Sequence, residues 1–214
     1  MDEDITVINT TTRNEKIKNF FIKNKKKLVI LLSLIILLIL SYFAYGEFDK
    51  RSKIKIANKY NNSIINFISG DKLNVESEMI KIINAKDKTY SPLALYFLLD
   101  NNIINSKEKI NSLFDILINE TKVDKEINNL IIYKKALYNS EFETENNLLK
   151  ILNPIINSES IWKSHGLYLM AEYFLSKNEK QKSKEFFEKI LILENSNPQI
   201  KLEAQKRIQR DFSE

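Results

Sequence analysis

Between Leu28 and Gly46 the chain reads LVILLSLIILLILSYFAYG, nineteen positions without a charge. As a helix rising about 1.5 Å per residue, this stretch spans roughly 28 Å, close to the hydrocarbon thickness of a bilayer. Tyr42, Phe43 and Tyr45 gather at its far end, where amphipathic rings favour the headgroup level. A cleaved signal peptide is the alternative, with Ala44 and Gly46 as small residues near a cleavage point. The leader of 27 residues and the length of the apolar run favour a retained anchor.

Beyond the span the apolar positions become periodic. Residues 50–69 place Ile54, Ala57, Tyr60, Ile64 and Phe67 or Ile68 on one stripe, with Gly70 as a helix stop. Residues 73–84 follow with Leu73, Val75, Met79, Ile82 and Ile83. Ser91-Pro92 opens a third helix, proline suiting the first turn, through Leu93, Leu95, Tyr96, Leu98 and Leu99. Further helices are predicted at 106–119, 123–139, 142–152 (halted at Pro154), 160–176, 179–193 and 198–212. Nine helices joined by short, Asn-rich turns describe stacked antiparallel hairpins.

The segments LALYFL (93–98) and LYLMAE (167–172) begin 74 residues apart, as do LFDILI (113–118) and FEKILI (187–192). That interval is two units of 37, near the tetratricopeptide period of about 34. Met170-Ala171, Phe174, Ser183, Phe187 and Ile190 repeat the tetratricopeptide spacing of small and large positions. A small residue on each helix permits a close crossing, and the large ones fill the space beside it. Leu99 and Asn111 depart from the pattern, occupying positions expected to be small. The predicted fold is all-α: a cytoplasmic leader (1–27), one transmembrane helix (28–46) and an α-solenoid of degenerate tetratricopeptide-like hairpins (47–214).

Charge sets the expected orientation. Arg13, Lys16, Lys18, Lys23, Lys25, Lys26 and Lys27 precede the span, opposed locally only by Glu15. Lys50, Arg51, Lys53, Lys55 and Lys59 follow it, with Glu47 and Asp49 among them. The heavier Lys/Arg flank stays in the cytoplasm, which places residues 47–214 outside it. The chain has a formal net charge of +5 and a pI of about 9.1. The leader is net +3 and the large domain only +2, so the excess largely flanks the membrane and does not form a nucleic-acid face.

Composition removes most site chemistry. There is no cysteine, one histidine and three widely separated glycines. Thiolate chemistry, ordinary zinc sites and phosphate-cradling glycine loops are therefore excluded. No catalytic, metal-binding or cofactor-binding residue is assigned, and no cofactor or small-molecule substrate is expected. His165, beside Gly166 in a helix-opening turn, reads as a surface or capping residue more readily than as a general base. Binding is the expected work, with Tyr90, Tyr96, Phe97, Trp162, Tyr168 and Tyr173 as candidate partner-contacting rings. The alternative for each ring is core filling. Phe20-Phe21-Ile22 and the lysines after them could form an interfacial helix or continue the transmembrane one.

Several segments carry a family resemblance: the leader RNEKIKNFFIKNKKKL (13–28) with Phe20-Phe21-x-x-Asn24-x-Lys26, Thr89-Tyr90 with Leu93-Ala94, and Tyr168-Leu169-Met170-Ala171-Glu172 followed by Leu175-Ser176-Lys177-Asn178-Glu179-Lys180. Over nearly its whole length the chain resembles the ancillary SecYEG translocon subunit family. The resemblance implies a bacterial inner-membrane protein with a periplasmic repeat domain, whose partners are Sec translocon subunits and periplasmic folding factors. An envelope-assembly or cell-division scaffold is the alternative of the same architecture. A membrane-bound hydrolase using a Ser–Lys or carboxylate site is the alternative from a different class.

Overall fold

The computed structural model describes the backbone of residues 2–212 and the side chains of 13–71 and 74–212; Leu73, one of the expected stripe residues, lies outside the described side chains. The described residues form nine helices and no strand: α1 (Asp2–Ile68), α2 (Lys72–Asn84), α3 (Tyr90–Asp100), α4 (Lys107–Asn119), α5 (Lys125–Asn139), α6 (Glu145–Ile156), α7 (Lys163–Ser176), α8 (Lys180–Ile192) and α9 (Pro198–Asp211). The chain divides into two compact units, Met1–Lys55 and Ile56–Glu214.

In the first unit α1 is the one helix, among the described residues, long and apolar enough to cross a membrane. Its span side chains are bare: Ile30, Leu37 and Leu40 are each more than 60% exposed. Among the described residues of this unit, none covers them. The helix also runs unbroken through the leader, so Phe20-Phe21-Ile22 lies on a continuation of the span and not on a separate surface helix. Gly46 does not interrupt it. Just beyond, Arg51 pairs with Glu47 at 2.8 Å and Lys53 with Asp49 at 2.5 Å, both one turn apart. Such pairs support helix where glycine weakens it. The expected helix 50–69 is therefore the end of α1, not a separate element.

In the second unit Ile56, Tyr60, Ile64 and Phe67 lie against the first of three hydrophobic clusters; Ile68 stays exposed, as does Ile54 of the first unit. That cluster is built chiefly from α2, α3 and α4, the second from α5, α6 and α7, the third from α7, α8 and α9. Ile118 touches the first and second, and Ile156 and Phe186 touch the second and third. The core is thus a string of joined clusters, and substantial helix contacts link only elements one or two places apart in the chain.

Spacing is regular. The starts of α2, α4, α6 and α8 step by 35, 38 and 35 residues, and those of α3, α5, α7 and α9 step by the same intervals. Polar ties bridge similar separations: Lys109 to Glu76 across 33 residues, Ser160 to Glu126 across 34, Tyr173 to the Glu143 carbonyl across 30, and the Asn197 N–H to Ser164 Oγ across 33. Met170, Ala171, Phe174, Ser183, Phe187 and Ile190 are all at most 1% exposed, as their steric pattern requires. Asn111, at a position expected to be small, instead exchanges side-chain amide hydrogen bonds with Asn139 at 3.0 and 2.8 Å. The departure from the pattern is a tie between α4 and α5.

Turn chemistry compensates for scarce glycine. After α3 and α7, Asn102 (φ 49°) and Asn178 (φ 61°) adopt the left-handed conformation usually given to glycine. At both ends the next residue closes back across the turn, Ile103 N–H to Leu98 O at 3.0 Å and Glu179 N–H to Phe174 O at 2.9 Å. Asparagine tolerates this backbone better than other side chains because its short amide can bond locally. Helix starts are capped by Asp71, Ser106, Thr144 and Asn197 side chains accepting backbone N–H groups. Pro154 does not stop α6 at residue 152. It sits exposed in the last turn, where burial of Leu152 and Ile155 holds the helix to Ile156 despite one missing N–H.

Phe187, fully buried, is expected to cost about 3–5 kcal/mol when replaced by alanine, through lost transfer energy and the cavity left behind. Ile192→Ala, at a side chain 81% exposed, is expected to cost less than about 0.5 kcal/mol. Urea unfolding of the full chain in detergent, followed by circular dichroism, checks the contrast.

Candidate functional site

The six candidate rings do not converge on one surface. Tyr90 and Phe97 share a face of α3 and pack on the end of α1: Tyr60 lies 5.7 Å from Tyr90 and 6.5 Å from Phe97, and Phe67 lies 5.3 Å from Phe97. Trp162, at the start of α7, stacks on Tyr133 of α5 at 5.8 Å and touches His165 at 4.9 Å. Tyr168 meets Phe187 edge-on at 5.4 Å, joining α7 to α8. Its neighbour Glu172 pairs with Arg207 of α9. Tyr173 is 8% exposed, and its hydroxyl donates to the Glu143 carbonyl at 3.1 Å. These five rings join helix to helix.

Tyr96 differs. It lies in the seam between α3 and α5, where it lines two hollows. The larger, about 370 Å³, is walled by Pro92, Leu93, Val123, Ile127 and Leu130. The smaller, about 250 Å³, is lined by Leu99, Leu137, Tyr138 and Phe142 with Asp100, Lys134 and Glu141 at its edge. Leu93, Ile127 and Leu137 are 41–46% exposed, apolar side chains left uncovered along one seam. The Lys134 ammonium lies 4.9 Å over the Tyr96 ring. Burial pushes the Tyr96 hydroxyl up to about 12, and that hydroxyl makes no hydrogen bond. It stays protonated at any physiological pH.

Leu93 and Ile127 are the seam residues that reading the sequence missed as a surface. Leu93 sits in YSPLALYFLL, where nearly every position is apolar and no period separates inner from outer faces. Ile127 carries no pattern of its own. A signal existed only jointly, in two apolar residues near the starts of helices whose starts lie 35 residues apart.

His165 is half-buried between Trp162 and Tyr133. Burial lowers its pKa, opposed by a smaller contribution from the Ile161 carbonyl. Nδ1 lacks a well-formed partner, as does Trp162 Nε1. Among the described residues no group of three or more His, Cys, Asp or Glu side chains is arranged to hold a metal ion. With these surroundings the histidine is a packing residue of the α5–α7 junction.

The chain matches no protein-family model, no curated protein and no solved structure.

Because His165 binds its proton less well folded than unfolded, its contribution is neutral above pH 6.5, the ordinary histidine value, and destabilising below it. Between pH 7 and 5.5 the melting temperature of His165→Phe is expected to fall less than that of the parent, as read by differential scanning fluorimetry. Tyr96→Phe removes a buried, unpaired hydroxyl and is expected to leave stability unchanged or raise it by up to about 1 kcal/mol. A loss above that size in urea unfolding overturns the reading of an unsatisfied group.

Proposed function

We propose that this chain is a membrane-tethered protein-interaction module. In this reading it is an ancillary subunit of the Sec translocon that holds a tetratricopeptide-like domain in the periplasm and links the channel to periplasmic folding factors. The observation that carries the modular reading is the recurrence of helix starts at 35, 38 and 35 residues in both helix series. Polar ties across comparable separations and a core strung along the chain support it. Arrays of this kind expose one helix per unit along a continuous face, suited to extended or helical segments of other proteins. The α3–α5 seam offers such a face, with uncovered leucine and isoleucine side chains.

The two flanks of the apolar run differ in their cations. Arg51 and Lys53 are neutralised by carboxylates of their own helix, whereas Lys23, Lys25, Lys26 and Lys27 meet no acidic partner among the described residues. The Lys/Arg count itself, seven before the apolar run against five after it, favours a cytoplasmic N-terminus. The function is positional: tethering raises the effective concentration of the binding face at the membrane without any bond being made or broken.

Two measurements test this. Because the chain contains no cysteine, Asn105→Cys creates a unique thiol, expected to react with a membrane-impermeant maleimide added from outside the inner membrane. A photo-crosslinking residue at Leu93 or Ile127, in intact cells, is expected to capture Sec channel subunits and periplasmic folding factors, identified by mass spectrometry. The same residue at Ile192 on α8 is expected to capture far less. A thiol that stays protected from the maleimide, or equal capture of unrelated proteins from all three positions, overturns the proposal.

A further inference from the structure

Among the described residues, the lysines just before the span have no carboxylate partner. Lys23, Lys25, Lys26 and Lys27 are exposed, and no carboxylate pairs with any of them among the described residues. The other flank differs: Glu47 holds Arg51 and Asp49 holds Lys53, leaving Lys50 alone among the first three cations there. In the second unit lysines of α2, α4, α5 and α8 pair with carboxylates at 2.6–2.8 Å. What sets the four lysines before Leu28 apart is that all of them are exposed, unpaired and gathered within five residues at the end of the apolar run.

Position along and around α1 identifies the missing counter-charge. The helix is continuous from the leader into the span. Lys27 therefore lies one residue, and Lys23 about 8 Å, beyond Leu28 along the axis. A headgroup layer is about 5–8 Å deep on each side of the hydrocarbon, so all four ammonium groups fall at phosphate depth. At about 100° per residue the four lysines cover about 200° of the helix circumference. The remaining sector carries Phe20, Phe21, Asn24 and Leu28. The two phenylalanines lie edge-to-face at 6.0 Å and are each 57% exposed. Lysine stems can lie along the apolar boundary while their ammonium groups reach outward. The arrangement is a collar of cations around more than half of the helix, interrupted by one largely apolar sector that continues the span.

We propose that Lys23, Lys25, Lys26 and Lys27 form a binding collar for anionic phospholipid headgroups, so that α1 selects acidic lipids on the leader side of the membrane. The partner is a lipid phosphate bearing net negative charge, brought to the collar by the same bilayer that accommodates residues 28–46. This inference rests on the membrane-tether reading and adds lipid selectivity to it. Charged-lipid attraction is long-ranged but screened by salt.

The test uses the full-length chain, first extracted from membranes with alkaline carbonate. Release into the soluble fraction at that step overturns the tether reading itself. For retained protein, native mass spectrometry is run after equilibration in detergent with equal amounts of phosphatidylglycerol and phosphatidylcholine of identical acyl chains. Phosphatidylglycerol is expected to be retained about fivefold over phosphatidylcholine, an enrichment of the size one membrane-proximal lysine supplies. Replacing all four lysines by glutamine is expected to bring the ratio to about one, and replacing them by arginine is expected to keep it. The control pair Arg51→Gln and Lys53→Gln, cations held by Glu47 and Asp49, is expected to leave it unchanged. A parental ratio near one, or an equal loss in the control, overturns the collar. Displacement of phosphatidylglycerol by inorganic phosphate assigns the site to soluble anions and overturns it. Displacement by a short single-stranded RNA assigns it to nucleic acid, with the same consequence.

Discussion

Each helix of the second unit has an apolar face that only its near neighbours in the chain can cover. From this constraint the string of joined clusters follows. Phe114 and Leu117 are covered where α4 meets α2, α3 and α5, while Phe174 and Phe187 are covered where α7 meets α6, α8 and α9. No residue of α2 needs one of α9. Stability in such an arrangement is close to a sum of local interfaces, with each pair held by its neighbours on either side. The polar ties between helices, among them Asn111 with Asn139 and Ser160 with Glu126, set the register at which successive faces meet. A buried amide or carboxylate pairs well in one register and is left unsatisfied in others.

A chain with three glycines still has to reverse direction repeatedly. Asparagine takes that role after α3 and α7, and Lys86 (φ 55°) takes it after α2. Gly70 (φ 94°) does so after α1. The one glycine inside a helix of the second unit, Gly166, serves packing instead. A Cβ there would lie 3.2 Å from Ile156 and 3.5 Å from Leu152, so its absence lets α7 approach α6. Gly166 serves closeness, whereas Gly70, Lys86, Asn102 and Asn178 share the backbone freedom of the turns.

The first unit obeys a different constraint. Among its described residues the apolar side chains are uncovered, and carboxylates hold Arg51 and Lys53 after the apolar run but none of Lys23, Lys25, Lys26 and Lys27 before it. In the proposed tether, with water on one side and hydrocarbon on the other, the unpaired lysines at the boundary are the ones left to meet lipid phosphate. The proposed tether and the proposed lipid collar are two consequences of the same helix.

The amino-acid sequence alone determined the span, the all-helical class and most helix positions, because these depend on runs, periods and caps within a few residues of one another. It also carried the repeat interval: LALYFL and LYLMAE lie 74 residues apart, and the helices that hold them start 73 apart. The faces were another matter. In α3 almost every residue is apolar, so nothing local distinguishes Phe97, turned to α1, from Tyr96, turned to the α5 seam. Five of the six candidate rings turned out to join helices, and the uncovered seam belongs partly to Leu93 and Ile127. The continuity of α1 past Gly46 and of α6 past Pro154 was likewise decided by ion pairs and burial beyond the breaker residue itself. Secondary structure is written in neighbours along the chain, whereas exposure depends on which distant helix arrives to cover a side chain, and only the folded arrangement supplies that partner.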